Sequence, residues 1–235
     1  MTRRLTAVVT GATRGIGLAV ARALAPDHTV ILIARSDDDL RAVARDIGDS
    51  ACSLPCDLAD AAATNAAVER IRAMTDGAPD LLVNNAGLFK LSPIESTSPE
   101  EFSASLDVNL SAPFRLIRGI LPAMRKRASG HIVSIGSIAD HVAFPENGGY
   151  AAAKFGLRGL HAVLRAELAG SGVRSTLISP GPVDTPLWNE VNPDERPGFT
   201  PRSAMLRPED VAAAVLFVVS QPASVNVDEL RLSRS

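Results

Sequence analysis

The chain alternates between short apolar runs and longer segments with apolar residues at helical spacing, and this alternation is its strongest constraint on fold. The short runs are rich in β-branched residues and predict strands at Thr6–Thr10, Thr29–Ala34, Ala51–Pro55, Asp80–Asn84, His131–Gly136 and Arg174–Ser179. The longer segments predict helices that include Leu18–Leu24, Leu40–Ile47 and Val68–Met74. Strands that are apolar on both faces and separated by crossover helices belong to a covered parallel sheet. The sequence therefore predicts an α/β fold with a doubly wound parallel sheet and helices on both faces.

Length and composition favour one domain. A chain of 235 residues with 46% hydrophobic residues can bury one large α/β core, and no stretch is long and polar enough to be a linker. We therefore expect a single domain over residues 1–235. The least regular segment is the proline-rich stretch from Pro180 to Pro208. Because a loop this long in a compact domain is usually a lid or binding segment, we expect a substrate lid at residues 182–206.

Charge and apolar patterning argue against nucleic-acid and membrane partners. The net charge of −2 gives no basic face, and the densest cationic run, residues 125–127, falls where a helix should end and suits the helix dipole. The first apolar run is soon broken by Gly11, too early for a signal peptide. No apolar segment reaches the roughly 18 residues that a membrane span needs. These patterns predict a soluble, cytoplasmic protein.

The cysteines and histidines show no metal-binding spacing. Cys52 and Cys56 are separated by three residues and have no neighbouring histidine, so they are expected to be small apolar residues of a strand rather than a zinc or redox site. The histidines are also scattered along the chain: His28, His131, His141 and His161. We therefore expect no metal site.

A glycine-rich turn, TGATRGIG at residues 10–17, follows the first predicted strand. Its spacing G-x-x-x-G-x-G is neither the G-x-G-x-x-G fingerprint nor a P-loop. The strand ends at Thr10 and a helix begins around Ile16, so backbone N–H groups at the positive helix end can approach a pyrophosphate. Taken alone, the turn favours dinucleotide binding, and a turn that binds nothing is the alternative.

Tyr150 and Lys154, in YAAAK, lie four residues apart at the start of a helical run, so both side chains project from one face. A cation held near a tyrosine lowers its pKa from about 10 toward the range useful for proton transfer. The pair gains meaning from Ser137, at the end of one predicted strand, and from NNAG, residues 84–87, at the end of another. Together these residues indicate proton-transfer chemistry.

Taken in order, these motifs resemble those of the short-chain dehydrogenase/reductase family. The resemblance runs from about residue 5 to 218 and rests on TGATRGIG, NNAG, Asn109 in DVNL, Ser137, Tyr150-x-x-x-Lys154 and the PGPVDT that follows the sixth predicted strand. It implies a Rossmann-like sheet, a nicotinamide cofactor, and interconversion of a ketone or aldehyde and an alcohol by hydride transfer.

The resemblance also implies a role for each catalytic residue. Tyr150 would donate a proton to the carbonyl oxygen in reduction and accept one in the reverse direction. Lys154 would keep the Tyr150 pKa low and bind the nicotinamide ribose. Ser137 would hydrogen-bond the reacting oxygen, and Asn109 would hold a water in a relay that connects Lys154 to solvent.

The same resemblance implies where the cofactor binds: along the glycine-rich turn, near the adenine, along the sugar and beside the nicotinamide amide. The positions are Gly11, Thr13, Arg14, Gly15, Ile16, Gly17, Arg35, Asp57, Leu58, Asn85, Ala86, Gly87, Tyr150, Lys154, Pro180, Gly181, Val183 and Thr185.

The end of the second strand predicts NADP(H) rather than NAD(H). Enzymes that prefer NAD usually carry an acidic residue there, whereas this chain has Ala34 at that position and Arg35 directly after it. Arg14, before the second glycine, is the other residue expected to flank a 2′-phosphate. The nearby carboxylates of residues 37–39 are expected to cap the following helix at its positive end. The alternative is that both arginines are surface residues.

The substrate pocket is expected between residues 138–149 and the lid. Its apolar side chains predict an apolar substrate: Phe144, Leu187, Trp188, Phe199 and Met205. His141 can reach the pocket mouth, and a solvent-facing loop position is the alternative. Carrier-protein-dependent ketoacyl reductases often have Arg-Gly before the sixth strand, where this chain has Ser171-Gly172. A 3-oxoacyl thioester reductase is therefore one alternative function, and a non-catalytic NADP(H)-binding sensor is another, although such sensors typically lose the tyrosine or the lysine.

A helix predicted after Pro99 carries an apolar stripe too wide to face only the sheet. The stripe consists of Phe102, Leu106, Leu110, Phe114, Leu116, Ile117, Ile120, Leu121 and Met124. We therefore expect a homo-oligomer, a tetramer or a dimer. The resemblance places the interface on this helix and on the Tyr150 helix.

Overall fold

Seven parallel strands form one sheet in the computed structural model, which describes residues 4–235. Residues 1–3 of the predicted domain lie outside the described residues. The strands are β1 Leu5–Thr10, β2 His28–Ala34, β3 Ala51–Pro55, β4 Leu81–Asn84, β5 Gly130–Ile135, β6 Val173–Pro180 and β7 Glu229–Leu232. Their order in the sheet is β3-β2-β1-β4-β5-β6-β7. The six predicted strands agree with β1 to β6 to within one residue at each end.

The described residues form seven α-helices between these strands. They are α1 Gly15–Leu24, α2 Asp37–Ile47, α3 Ala61–Met74, α4 Pro99–Leu106, α5 Ala112–Lys126, α6 Gly148–Leu168 and α7 Pro208–Val219. Helices α1, α2 and α7 pack on one face of the sheet, and α3, α5 and α6 pack on the other. The predicted doubly wound parallel sheet with helices on both faces is confirmed.

Alternation of buried side chains along each strand produces these two apolar layers. In β1, Ala7 and Val9 pack with Val20 and Leu24 of α1, whereas Val8 between them packs with the opposite layer. All three β1 side chains are fully buried. Because successive side chains of a strand point to opposite faces, a strand covered on both sides is apolar throughout.

The helix predicted after Pro99 is interrupted, so the prediction of one continuous helix is wrong. Helices α4 and α5 are separated by a π-helical turn at Asp107–Ser111. Pro113 stands in the first turn of α5 and has no N–H, so it cannot donate to the carbonyl oxygen of Asn109, its α-helical acceptor. The π-helical turn therefore coincides with the loss of one regular α-helical hydrogen bond. It contains Asn109, a predicted catalytic residue.

The carboxyl ends of the parallel strands meet at one edge of the sheet. From β1 the strands are added outward to β2 and β3 on one side, and from β4 outward to β7 on the other side, so the strand order switches between β1 and β4. Such a switch point is where open α/β sheets bind ligands. The predicted lid, residues 182–206, follows β6 at this edge and contains short 3-10 helices at Pro186–Trp188 and Arg202–Ala204. Within the described chain, none of the helices combines the length and apolarity required to cross a membrane.

Candidate active site

A cavity of about 950 Å³ opens at the carboxyl ends of the strands. All the predicted cofactor-binding residues except Gly17 line it, and so do the predicted catalytic residues Ser137, Tyr150 and Lys154. Asn109 lies outside the lining, behind the loop that follows β4. The fold therefore gathers residues from distant parts of the chain around one cavity.

Gly17 supports the glycine-rich turn from behind rather than lining the cavity. A Cβ at this position would overlap the carbonyl oxygen of Gly11 and the side-chain amide of Asn85. Only a residue without a side chain lets α1 begin this close to the end of β1. Gly17 therefore has a packing role in the turn, and its contact with the cofactor stays a prediction.

Hydrogen bonds fasten the ends of β1 and β4 to each other at the switch point. The Thr10 hydroxyl accepts from the backbone N–H groups of Asn85 and Ala86, each at 2.9 Å. The Asn85 amide donates to the carbonyl oxygen of Thr10 at 2.8 Å. These bonds hold the glycine-rich turn beside NNAG, so both motifs face the same cavity.

Arg14 and Arg35 both line the cavity, beside the start of α1 and the end of β2. Neither side chain forms a hydrogen bond or an ion pair with another residue in the 4–235 range, so both guanidinium groups are available to a ligand. The residues 37–39 occupy the first turn of α2, as predicted, but the N-cap itself is Ser36, whose hydroxyl accepts from the Asp39 N–H at 3.2 Å. Asp39 also lines the cavity.

The Tyr150 and Lys154 side chains lie on one face of α6. The Lys154 Nζ is 5.5 Å from the centre of the Tyr150 ring and donates to the carbonyl oxygen of Ile135 at 2.8 Å. Only 4% of Lys154 is exposed. The Ser137 side chain, two residues beyond the end of β5, acts on the Tyr150 hydroxyl and lowers its pKa. Ser137, Tyr150 and Lys154 therefore form one group, in which Lys154 is buried and the other two side chains are half-buried at the cavity.

Burial raises the Tyr150 pKa to about 12, although the neighbouring Ser137 side chain acts in the opposite direction. The expectation that Lys154 lowers this pKa is not met: Lys154 directs its hydrogen bond to Ile135, and desolvation of the phenolate outweighs other effects. Burial also lowers the Lys154 pKa to about 8, against the charge of Asp140. Tyr150 is consequently a protonated phenol at neutral pH.

Asn109 sits in the π-helical turn and is almost fully buried. Its side-chain amide donates to the carbonyl oxygens of Leu88 at 2.8 Å and Ser105 at 2.9 Å. Both amide hydrogens are thereby used within the protein. A water bound at Asn109 can therefore only donate a hydrogen bond, which the side-chain or backbone oxygen of Asn109 accepts.

Aromatic rings line the substrate end of the cavity. The Phe89 ring packs edge-on against Tyr150 with centres 5.0 Å apart, and Trp188 of the lid packs against Phe89 at 5.1 Å. Phe199 extends this wall, 6.3 Å from Trp188. The predicted pocket residues Phe144, Leu187, Trp188 and Phe199 all line the cavity.

Met205 does not belong to the pocket, so that prediction is wrong. Its side chain, within the predicted lid segment, is 2% exposed and is absent from the cavity lining. Phe89 was missed from the sequence, although its place two residues after NNAG was a usable signal. A residue just beyond the end of a central strand faces the ligand edge of the sheet.

His141 takes neither of its expected positions. Its side chain is 15% exposed and lies 2.8 Å from a carboxylate oxygen of Glu229 in β7, away from the cavity.

Cys52 belongs to β3 and Cys56 follows it; both are free thiols whose pKa is raised by burial. In the part of the chain that the structure describes, no cluster of three or more His, Cys, Asp or Glu residues is arranged to hold a metal ion.

A glycine-rich βα turn and a Ser-Tyr-Lys group around one cavity define the site of a dinucleotide-dependent oxidoreductase. A model of the short chain dehydrogenase family matches residues 5–196, and the chain belongs to this short-chain dehydrogenase/reductase family. The family recognised from the sequence motifs is therefore confirmed, and the protein is an oxidoreductase of this class.

Relatives and neighbouring structures match almost the whole chain. The 3-oxoacyl-acyl-carrier-protein reductase FabG of Escherichia coli is 34% identical over 93% of this chain and 91% of its own length. An uncharacterized oxidoreductase of Staphylococcus aureus is 34% identical over 95% of this chain and 94% of its own. A putative NAD(P)-dependent gluconate 5-dehydrogenase from Beutenbergia cavernae with bound NADP superposes with a TM-score of 0.89, at 32% identity, over 99% of this chain and 96% of that one. A metagenomic short-chain oxidoreductase in complex with NADP gives 0.84 at 34% identity, covering 98% and 97%.

Proposed function

We propose that the protein interconverts a ketone or aldehyde and an alcohol by hydride transfer with NADP(H), with Tyr150 as general acid and base. The observation that carries this proposal is a half-buried, protonated phenol that lies beside Ser137 and borders the same cavity as the glycine-rich turn. A protonated phenol facing a ligand cavity can supply the proton that a carbonyl oxygen needs during reduction.

The residues at the adenine end of the cavity fit NADP(H). Backbone N–H groups at the start of α1 suit a pyrophosphate, and the side chains of Arg14 and Arg35 are available to a 2′-phosphate. Ala34 leaves no carboxylate at the end of β2 to repel that phosphate. The structures of relatives with bound NADP support the same assignment.

Each catalytic side chain has a separate task in the proposed reaction. The nicotinamide ring, when bound, supplies or accepts the hydride. The Ser137 hydroxyl holds the substrate oxygen, and the Tyr150 hydroxyl donates its proton to that oxygen during reduction. Lys154 binds the nicotinamide ribose through its ammonium group. Its second partner, the carbonyl oxygen of Ile135, fixes the side chain in place.

The relay role of Asn109 is also part of this proposal. Pro113 leaves the Asn109 carbonyl oxygen without its α-helical donor, and the amide hydrogens already have protein partners. A water that donates to Asn109 can then pass a proton toward Lys154. This arrangement would let the site recover its proton from solvent after each turnover.

The aromatic wall supports an apolar substrate. Phe89, Trp188 and Phe199 present ring surfaces beside Tyr150, and the Trp188 N–H is already bonded to the carbonyl oxygen of Val183 at 3.0 Å. The wall therefore offers apolar contact rather than hydrogen-bond donors. We propose that residues 182–206 act as the lid over this substrate.

Consumption of NADPH is expected with ketones or aldehydes that carry an apolar group. The test follows NADPH absorbance with a panel of ketones, aldehydes, diketones and β-ketoacyl thioesters, at equal concentrations. Polar hydroxy-ketones of similar size are the control, because they gain little from the aromatic wall. Tight NADPH binding without turnover of any compound would contradict the enzyme and favour the non-catalytic sensor.

A second candidate is a 3-oxoacyl thioester reductase. The relationship to the Escherichia coli 3-oxoacyl-acyl-carrier-protein reductase favours this function. Ser171-Gly172 in place of Arg-Gly before β6 weakens it. Within the same panel, a strong preference for the thioesters over simple ketones would select this candidate.

A homo-oligomer is expected, with α4, α5 and α6 at the interface. Phe102, Phe114, Phe155 and Val163 are exposed on these helices, with Phe114 at 48% and Val163 at 57%. Phe114→Glu is expected to weaken assembly, because the carboxylate would be buried against apolar surface. Multi-angle light scattering measures the mass, and Met74→Glu, at an exposed site on α3, is the control. A wild-type monomer at micromolar concentration would refute this prediction.

The cytoplasmic location of the protein stays a prediction.

A further inference from the structure

A fully buried carboxylate lies directly behind the catalytic group. Asp140 is 0% exposed and ends the short 3-10 helix Ile138–Asp140 that follows Ser137. Its Oδ2 accepts from the Ser179 hydroxyl at 2.6 Å and from the Ser137 backbone N–H at 3.1 Å. Asp140 therefore joins the turn that carries Ser137 to the end of β6.

The sequence makes room for this carboxylate at Gly136. A Cβ on Gly136 would overlap the Oδ2 atom of Asp140 and lie 2.7 Å from the Ser179 hydroxyl oxygen. Any other residue at this position would push the carboxylate out of its site. The close approach of backbone and carboxylate indicates that Asp140 is held in a defined place.

The other oxygen of Asp140 is less well satisfied. Oδ1 lies 3.2 Å from the His141 Nε2 without a well-aligned hydrogen bond, whereas the same nitrogen is 2.8 Å from the Glu229 carboxylate. Because the Asp140 and Glu229 carboxylates are both acceptors, the His141 Nε2 must carry a hydrogen, and the shorter hydrogen bond goes to Glu229. Glu229 also lies 3.9 Å from Arg158 and from Arg231. The charge of Asp140 is thus only partly balanced by its own contacts.

This charge acts on the two catalytic groups of α6. Asp140 raises the pKa of Lys154, against the effect of burial, and it also raises the pKa of Tyr150. Both effects favour the protonated forms: an ammonium on Lys154 and a phenol on Tyr150. The effect of a fully buried carboxylate is only weakly screened, because little water surrounds it.

We propose that Asp140 is a positioning residue of this active site, whose buried carboxylate anchors the turn that carries Ser137 and keeps Tyr150 and Lys154 protonated. The anchoring acts through the Ser137 N–H and Ser179, and the electrostatic effect acts through the unbalanced charge. The link to catalysis rests on the proposed function, whereas the effect on Tyr150 can be measured without turnover.

Tyr150 is the only tyrosine of the chain, so its ionisation can be followed alone by ultraviolet absorbance. Asp140→Asn removes the charge and keeps an oxygen that can accept from Ser137 and Ser179. The pH midpoint of Tyr150 ionisation is expected to fall by about one unit relative to wild type, because the negative charge that opposes formation of the phenolate is gone. Asp140→Ser, a second neutral variant, is used if Asp140→Asn does not fold.

Ser179→Ala is the matched control, because it removes one bond to Asp140 and leaves the charge in place. Its Tyr150 midpoint is expected to stay near that of wild type. Circular dichroism defines the pH range in which each variant remains folded, and only that range is compared. Equal ionisation of Tyr150 in the wild type and the neutral variants would overturn the proposal.

The pH dependence of kcat/KM for NADPH-dependent reduction gives a second readout. Lys154, with a pKa of about 8, and then Tyr150 lose their protons at high pH, and Asp140 raises the pKa of both, so the alkaline loss of activity is expected at lower pH in Asp140→Asn. If kcat falls in Asp140→Asn while the alkaline loss of activity stays at its wild-type pH, Asp140 has only the anchoring role, and the electrostatic part of the proposal is overturned. Absence of reductase activity in the wild type would refute the proposed function instead, and would leave the absorbance result unaffected.

Discussion

Replacement of Tyr150 by phenylalanine is expected to lower kcat for carbonyl reduction by on the order of 10² to 10⁴, while fold and cofactor binding persist. The substitution removes one hydroxyl and keeps the ring that packs edge-on against Phe89. That hydroxyl lies beside Ser137, and its raised pKa keeps it protonated at neutral pH. Its loss therefore removes the proton donor from an otherwise intact site.

Two quantities are measured for each variant. The first is the steady-state rate with the carbonyl compound that the wild type reduces fastest, and the second is NADPH affinity, which the fluorescence of Trp188, the only tryptophan, can report. Phe89→Leu is the matched control, because it disturbs the packing of the Tyr150 ring and leaves the proton donor in place. A comparable loss in Phe89→Leu would assign the effect to packing. Tyr150→Phe with more than half of wild-type turnover would rule out Tyr150 as the general acid.

The central strands could be predicted closely because they are buried on both faces. In β1 and β2 most residues are apolar and many are β-branched, so the sequence marks where each strand begins and ends. The break between α4 and α5 could not be predicted in the same way. Apolar residues continue at helical spacing across residues 102–124, and a proline near a helix start is ordinarily tolerated. Only the structure shows that the turn at Asp107–Ser111 has π geometry.

The site residues that could be predicted follow the ends of strands, where short motifs mark them. Asp140 carries no such mark, because its role depends on residues that are distant in the sequence. Ser179 is bonded to it, and the adjacent His141 is bonded to Glu229, which lies 88 residues after His141. The Tyr150 pKa escaped prediction for a similar reason. The spacing of Tyr150 and Lys154 places the two side chains on one face, but desolvation depends on everything packed around them.

Removal of Arg35 is expected to reduce the preference for NADPH over NADH by about 10- to 100-fold. Arg35 follows β2 and lines the adenine end of the cavity, where its guanidinium has no ion-pair partner among residues 4–235. Hydrogen bonds to charged groups contribute roughly 1.5 to 3 kcal/mol each, and about 1.4 kcal/mol corresponds to a factor of ten. Arg14, on the other side of the site, would retain part of the preference.

Asp39 is the residue that opposes this prediction, because its carboxylate also borders the cavity. Its backbone N–H is bonded to the Ser36 hydroxyl, which fixes it in the first turn of α2, where the positive helix end partly offsets its charge. A phosphate held between Arg14 and Arg35 would meet two positive charges against this one negative charge. The balance therefore favours NADPH in the wild type.

The comparison is kcat/KM with NADPH and with NADH for the wild type, Arg35→Ala and Arg41→Ala. Arg41 is a matched control because it lies in α2, pairs with Asp37 at 2.5 Å and does not line the cavity. Its removal is expected to leave the cofactor ratio near the wild-type value, since only long-range charge is lost. The loss in Arg35→Ala should appear as a higher KM for NADPH with little change for NADH, because the 2′-phosphate is the only group that differs. A wild type that favours NADH, or an Arg35→Ala ratio equal to that of Arg41→Ala, would show that Arg35 does not recognise the phosphate.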